Sequence, residues 1–208
     1  MRIAFLGDSL TEGVPGASYF RILRKRLRAD GAPGADELFD LGRAGDCVAD
    51  LYARVRHTGL TPVDLAFLWI GTNDAAIGEW SPWAFEAFEP VAWPTTLDHV
   101  ATVYARLLGW VTERAVATVC VPPVAADGLG GAWGRRVADM ADIAAAAAAT
   151  EPSASFLDLA PWFAAARSAA PGVSFTIDGV HLSQAGAEVV ADAFAAAVEA
   201  YRPPAPPS

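Results

Sequence analysis

The run Leu65-Ala66-Phe67-Leu68-Trp69-Ile70 is apolar at every position, so both of its alternating faces have to be buried. A strand of that kind belongs in the middle of a parallel sheet with helices packed on either side. It falls within a strand expected over Asp64–Gly71. Four further runs read as buried parallel strands: Arg2–Gly7, Glu37–Gly42, Ala117–Pro122 and Ser155–Asp158. Helical patterns lie between them, around Ala17–Arg28, Val48–Arg56, Leu97–Glu113 and Arg135–Ala149, the last including the alanine run 144–149. A final helix is expected from Ser183 or Gln184 to about Ala200, opened by a capping-type serine. Strand and helix alternate throughout, which specifies a layered α/β domain joined by right-handed crossovers.

The 208 residues suffice for one domain with a substantial core and are too few for two. That domain is expected over 1–202, followed by a proline-rich tail at 203–208 expected to be disordered. A formal net charge of -9 argues against nucleic-acid or anionic-membrane partners. The basic stretch Arg21 to Arg28 does not contradict this, because Phe20, Leu23 and Leu27 recur through it at helical spacing and make it the solvated face of an amphipathic helix. Charges or prolines interrupt each apolar span before it reaches membrane-crossing length, and the chain opens on a strand-like run without the pattern of a signal peptide. A cytoplasmic protein with no membrane insertion is the expectation, and its oligomeric state is not legible. Cys47 and Cys120 form no CxxC pair; reduced, partly buried thiols are expected in preference to a lone disulfide.

Chemistry concentrates where strands end. Gly7-Asp8-Ser9-Leu10-Thr11-Glu12-Gly13 follows the apolar run 3–6 directly, which presents Ser9 at the carboxyl end of the sheet, where open α/β sheets place their sites. A serine hydroxyl needs a base to act as a nucleophile at neutral pH. Of the three histidines, His57 and His99 lie in helical patterns with no motif around them and read as surface or packing residues. His181 stands in Asp178-Gly179-Val180-His181-Leu182-Ser183, just before the last helix. A loop of that spacing lets Asp178 hydrogen-bond the imidazole at Nδ1 and leaves Nε2 free to take a proton from a hydroxyl. Donors for a tetrahedral oxyanion are available from the Ser9 amide, from Gly45 in the turn after the second strand, and from the side chain of Asn73 in the turn after the third. Asp8, Asp46 and Asp74 read as loop-organising carboxylates that accept backbone N–H bonds. No local feature lowers the thiol pKa of either cysteine, and the G-x-S-x-G elbow of the classical α/β-hydrolases is absent.

With these blocks in place, the chain resembles the SGNH hydrolases, also called the GDSL esterase/lipase superfamily, over nearly its whole length. GDSLTEG stands at 7–13, a glycine block at 42–45, GTND at 71–74 and DGVHLS at 178–183. The resemblance implies a flavodoxin-like three-layer α/β/α sandwich with a five-stranded parallel sheet of order 2-1-3-4-5. It implies Ser9 as nucleophile, Asp178 and His181 as acid and base, and Ser9, Gly45 and Asn73 as oxyanion donors. It also implies an ester as the small-molecule substrate and no metal or organic cofactor, in keeping with a sequence that has no clustered His/Cys ligand set. The family's glycine block usually resembles Asn-x-Gly-x-x-Gly-Asp-Thr. Here Asp40 replaces the Asn and Cys47 the Thr, both at positions that bear on the hydrogen bonds orienting Gly45.

Two questions stay open at this level. The same constellation serves an esterase, an acyltransferase or a thioesterase, and a binding module on a degenerate scaffold ranks last because each catalytic position holds a competent residue. The segment Ala75–Pro94 carries Trp80, Trp83, Phe85, Phe88 and Trp93. Its tryptophans, Trp80 and Trp83 in particular, serve either as an apolar wall for substrate or as packing against the domain.

Overall fold

The computed structural model describes residues 1–29, 36–76, 96–127 and 131–202. Five parallel strands, β1 (Arg2–Gly7), β2 (Glu37–Gly42), β3 (Val63–Trp69), β4 (Ala115–Val121) and β5 (Ala154–Phe156), form one sheet in the order β2-β1-β3-β4-β5. Around it lie α1 (Ser9–Glu12), α2 (Tyr19–Ala29), α3 (Val48–Thr58), α4 (Thr72–Ala76), α5 (Leu97–Thr112), α6 (Gly131–Thr150), α7 (Ala160–Ala169) and α8 (Gln184–Tyr201). The expected fold class and strand order are those observed. Among the described residues no helix is long and apolar enough to cross a membrane.

The alternation within β3 divides the core. Leu65, Phe67 and Trp69 face one side, with Phe20, Leu23 and Leu27 of α2, Phe163 of α7 and Phe194 of α8. Ala66 and Leu68 face the other, with Leu51 of α3, Tyr104 and Leu107 of α5 and Met140 of α6. This distribution follows from connectivity. The chain moves one way across the sheet from β1 to β2 and the other way from β2 onward, and right-handed crossovers then require the connecting helix to change face. The reversal falls between β1 and β3, and sheets of this kind bind ligands beyond the carboxyl ends of the strands at such a point.

Sequence expectations were most accurate in the interior. The two edge strands are less buried than expected: Glu37 and Asp40 of β2 and Phe156 of β5 are exposed. β4 ends at Val121 rather than Pro122, because proline has no N–H to give the ladder. Helix α7 was not foreseen; only Phe163 among its residues is fully buried, so it lacks the apolar stripe that marks a helix, although a proline at its first turn is a valid start signal. The basic face of α2 behaves as expected, with Arg21, Arg24, Lys25 and Arg28 exposed.

One aromatic group dominates the face beneath α8. Phe194 lies 4.6 Å from Phe67 and 5.0 Å from Tyr19, ring centre to ring centre, and Phe67 stacks 5.0 Å from Phe5. Trp69 closes the cluster and donates its indole N–H to Pro122 O at 3.1 Å. Replacing Phe194 by Ala should lower unfolding free energy by about 3–5 kcal/mol, through lost burial and the cavity left behind. Val116→Ala on the exposed face of β4 should change it by no more than about 0.5 kcal/mol. Urea denaturation of both variants checks the contrast.

Candidate active site

Ser9 is the first residue of α1, immediately beyond β1, and helix α1 is seated by close backbone approach. A Cβ on Gly42 would stand 2.3 Å from Glu12 N, so only glycine lets the end of β2 meet this turn. Ser9 Oγ lies 3.1 Å from His181 Nε2, and His181 Nδ1 lies 2.6 Å from Asp178 Oδ2. The other oxygen of Asp178 accepts the amides of Val180 at 3.0 Å and His181 at 2.8 Å, so the carboxylate both organises the loop and faces the imidazole. Partial burial works against the Asp178 charge. The hydrogen bonds from the His181 ring and from the two amides outweigh it and hold the carboxyl below its ordinary value. Ser9 is buried, whereas the Asp178 side chain is half-exposed. His57 and His99 are exposed and take no part.

The turns after β2 and β3 are joined to each other. Asn73 Nδ2 donates to Asp46 O at 2.8 Å, next to Gly45, and its second N–H remains for another acceptor. Gly45 takes a positive φ of 85°, a conformation open to glycine at no steric cost. The Ser9 amide opens a helix, where the first N–H groups have no intrahelical carbonyl. Glu12 Oε2 accepts Ala44 N at 2.6 Å, which ties the serine turn to the glycine turn. The unusual Asp40 caps its own turn by accepting Gly42 N at 3.1 Å. The other departure, Cys47, is held through its backbone: its amide donates to Asp50 Oδ2 at 3.0 Å. Both cysteines are free and buried, and burial pushes each thiol up, which removes them as nucleophiles.

The three aspartates behind these turns divide differently from expectation. Asp8 and Asp74 do accept backbone amides, from Leu10 at 2.9 Å and from Val48 at 3.0 Å. Asp46 does not; its carboxylate pairs with the Arg54 guanidinium at 2.6 Å, because a buried charge needs an opposite charge more than an amide. Arg54 also donates to Leu41 O at 3.0 Å, anchoring the end of β2. Burial pushes the Asp8 carboxyl up to about 6 and that of Asp74 to about 7, and one oxygen of each is without a hydrogen-bond partner among the described residues.

Glu12, Arg54 and Asp127 escaped the sequence reading. Glu12 was in plain view within the first motif, but nothing local marks the contacts that Arg54 and Asp127 make. Trp80 and Trp83 lie outside the described residues, as does the tail at 203–208. Among the described residues no group of three or more His, Cys, Asp or Glu is arranged to hold a metal ion.

Comparison with known proteins agrees with this fold. The GDSL-like lipase/acylhydrolase family model matches residues 5–189. Among curated proteins no relative matches the chain. Solved structures of the same fold include LAE5, described as an alpha/beta hydrolase enzyme from the metagenome of Lake Arreo, Spain. It superposes with a TM-score of 0.76 at 20% identity, covering 97% of this chain and 96% of the other. A catalytic mutant of Axe2, an acetylxylan esterase from Geobacillus stearothermophilus, gives 0.75 at 20% identity, covering 93% and 91%. The lipase/acylhydrolase from Enterococcus faecalis gives 0.68 at 18% identity, covering 99% of each chain.

Asp8 makes stability depend on pH. Its carboxyl rises from 3.8 to about 6 on folding, so the folded chain holds this proton more tightly than the unfolded one. The stabilisation is complete below the unfolded value and disappears as pH climbs through the folded value. Between pH 5 and pH 8 the natural protein should therefore lose roughly 1–2 kcal/mol that Asp8→Asn keeps. Urea unfolding at both pH values measures this, and identical pH slopes for the two proteins would contradict it.

Proposed function

Because this chain belongs to the GDSL-like lipase/acylhydrolase family over residues 5–189, and so is a carboxylic ester hydrolase, we propose that it works through a covalent acyl-enzyme with Ser9 as nucleophile, His181 as base and Asp178 as its orienting acid. One observation carries the reading. A continuous hydrogen-bonded chain runs from Asp178 through both ring nitrogens of His181 to Ser9 Oγ, with steps of 2.6 and 3.1 Å. Both separations fall within the reach a proton-transfer pair requires.

In the first half-reaction Ser9 Oγ attacks the ester carbonyl carbon while its proton passes to His181 Nε2. The carbonyl oxygen becomes an oxyanion, for which the Ser9 amide, the Gly45 amide and the second N–H of Asn73 are the proposed donors; each well-aimed donor is worth about 3 kcal/mol in the transition state. Collapse of the tetrahedral intermediate breaks the bond to the alcohol oxygen, which leaves with the proton from His181. In the second half-reaction water gives a proton to the same nitrogen, attacks the acyl carbon and releases the carboxylic acid, restoring the serine hydroxyl. Asp178 supports both halves. Its ionised carboxylate fixes the Nδ1–H tautomer and faces the imidazolium as it forms.

The acetylxylan esterase that shares this fold makes acetyl esters, including acetylated sugars, the first substrates to try. Hydrolysis of p-nitrophenyl acetate should fall by about 10³-fold or more in Ser9→Ala, with an unchanged far-UV spectrum. A fluorophosphonate should label the natural protein at Ser9 and leave the variant unlabelled, which peptide mass spectrometry reads directly. Turnover retained in the purified variant, or label on another residue, would exclude the assignment.

A further inference from the structure

The loop that carries Asp178 and His181 lies between α7 and α8 and has little regular structure of its own. One antiparallel bridge, Thr176 to Leu182, joins its two arms, and Ile177 N donates to His181 O at 2.8 Å. The anchor of that bridge comes from a distant segment. Asp127, in the turn after β4, accepts Phe175 N at 2.8 Å on one carboxylate oxygen and Thr176 N at 3.0 Å on the other. The second oxygen also accepts the Thr176 hydroxyl. Ser174 Oγ stands 3.0 Å from it and 2.7 Å from Thr176 O, so its single proton serves one of the two. Thr176 then relays the contact: its hydroxyl donates to Asp127 and accepts Gly179 N at 3.1 Å, the amide that follows Asp178.

We propose that Asp127, acting through Thr176, is a positioning residue that sets the reach between His181 and Ser9. The inference rests on the reading of Ser9 and His181 given above. Three features support it. The bonds converge on one arm of the loop and leave it through Gly179 and the 176–182 bridge, so displacing Thr176 displaces both the acid and the base. An amide in place of the carboxylate cannot accept the same donors at both oxygens. The hydrogen bonds outweigh partial burial and hold the Asp127 carboxyl below its ordinary value, so it remains an acceptor through the neutral range. On the far arm, Ala17 N donates to Leu182 O at 2.9 Å. The near arm is tied to the start of α8 by Ser183, whose amide donates to Phe175 O at 3.0 Å and whose hydroxyl donates to Ser174 O at 2.8 Å, and to the turn after β4 by Asp127.

The test compares Asp127→Asn, Thr176→Val and Thr176→Ser with a control of matched stability, Val55→Ala in α3, all assayed well below their melting temperatures. A misplacement of the base by a fraction of an ångström to one ångström lowers chemistry and spares binding, so Asp127→Asn should lose about 10- to 100-fold in kcat on p-nitrophenyl acetate with KM within about threefold. The rate of fluorophosphonate labelling at Ser9 should fall in the same proportion. Thr176→Val should follow it, while Thr176→Ser, which keeps the relay hydroxyl, should retain most activity, and Val55→Ala should retain all of it. If Asp127→Asn fails to fold, the Val and Ser variants at 176 decide the matter alone. Labelling and kcat at natural rates in folded Asp127→Asn or Thr176→Val would overturn the proposal. Failure of the natural protein to label at Ser9 would instead overturn the mechanism on which it rests, so the two outcomes are distinct.

Discussion

Parallel pairing in register is the constraint on which the site depends. Gly7 is level with Gly42 on one side and with Trp69 on the other, and Trp69 is level with Val121. Four strands therefore stop at nearly one height, and the turns that leave them begin from one edge. Ser9 follows the first strand, Gly45 the second and Asn73 the third, so the sheet brings the three turns that carry them to one edge. A slip by one residue would exchange the two faces of β3 and bury its side chains against the wrong helices. The hydrophobic division of the core therefore holds this edge in register.

Contacts between the turns then fix what the sheet has brought together. Glu12 ties the serine turn to the glycine turn, Asn73 ties the third turn to the second, and Asp74 holds the amide that starts α3. These contacts bring carboxyl groups into a poorly hydrated region behind the nucleophile. Asp46 offsets part of its desolvation by pairing with Arg54, and burial still raises all three carboxyls above their ordinary value, Asp8 to about 6 and Asp74 to about 7. The same region thus combines a buried ion pair with carboxyls close to neutrality in mild acid.

What was legible in the chain follows from the range of the interactions concerned. Asp178 and His181 are three residues apart and act on each other, so their relation is written locally. Ser9, Gly45 and Asn73 each follow an apolar run, and the run announces where they will stand. Asp127 binds residues 48 and 49 positions away, and nothing near it distinguishes it from a surface turn. Arg54 gave no signal either, because its role depends on the lateral distance between a helix and the strand beside it. Helix α7 went unseen since it fully buries only Phe163 and so leaves no periodic stripe. The edges of β2 and β5 were overcalled for a related reason: length and β-propensity mark a strand, but only its neighbours decide how deeply it lies.

Ser9 and His181, the proposed nucleophile and base, are held by different balances of contacts, and that difference governs how the site responds to change. Ser9 sits on a short helix clamped between strand ends, where position is set by backbone hydrogen bonds and close glycine contacts that many side-chain substitutions leave intact. His181 sits on a loop held by a few backbone hydrogen bonds and by side-chain hydrogen bonds, several of the latter on a single carboxylate. On the mechanism proposed, misplacement of the imidazole slows proton transfer while the Ser9 hydroxyl and the Gly45 and Asn73 amides stay where the sheet put them. Substrate recognition can then vary in the loops beyond the sheet edge, as is usual where a rigid scaffold carries variable connections, without disturbing the serine. Variation near 127 or 174–183 has no such freedom, because it acts on Asp178 and His181, the two groups of the proposed triad that the sheet does not fix.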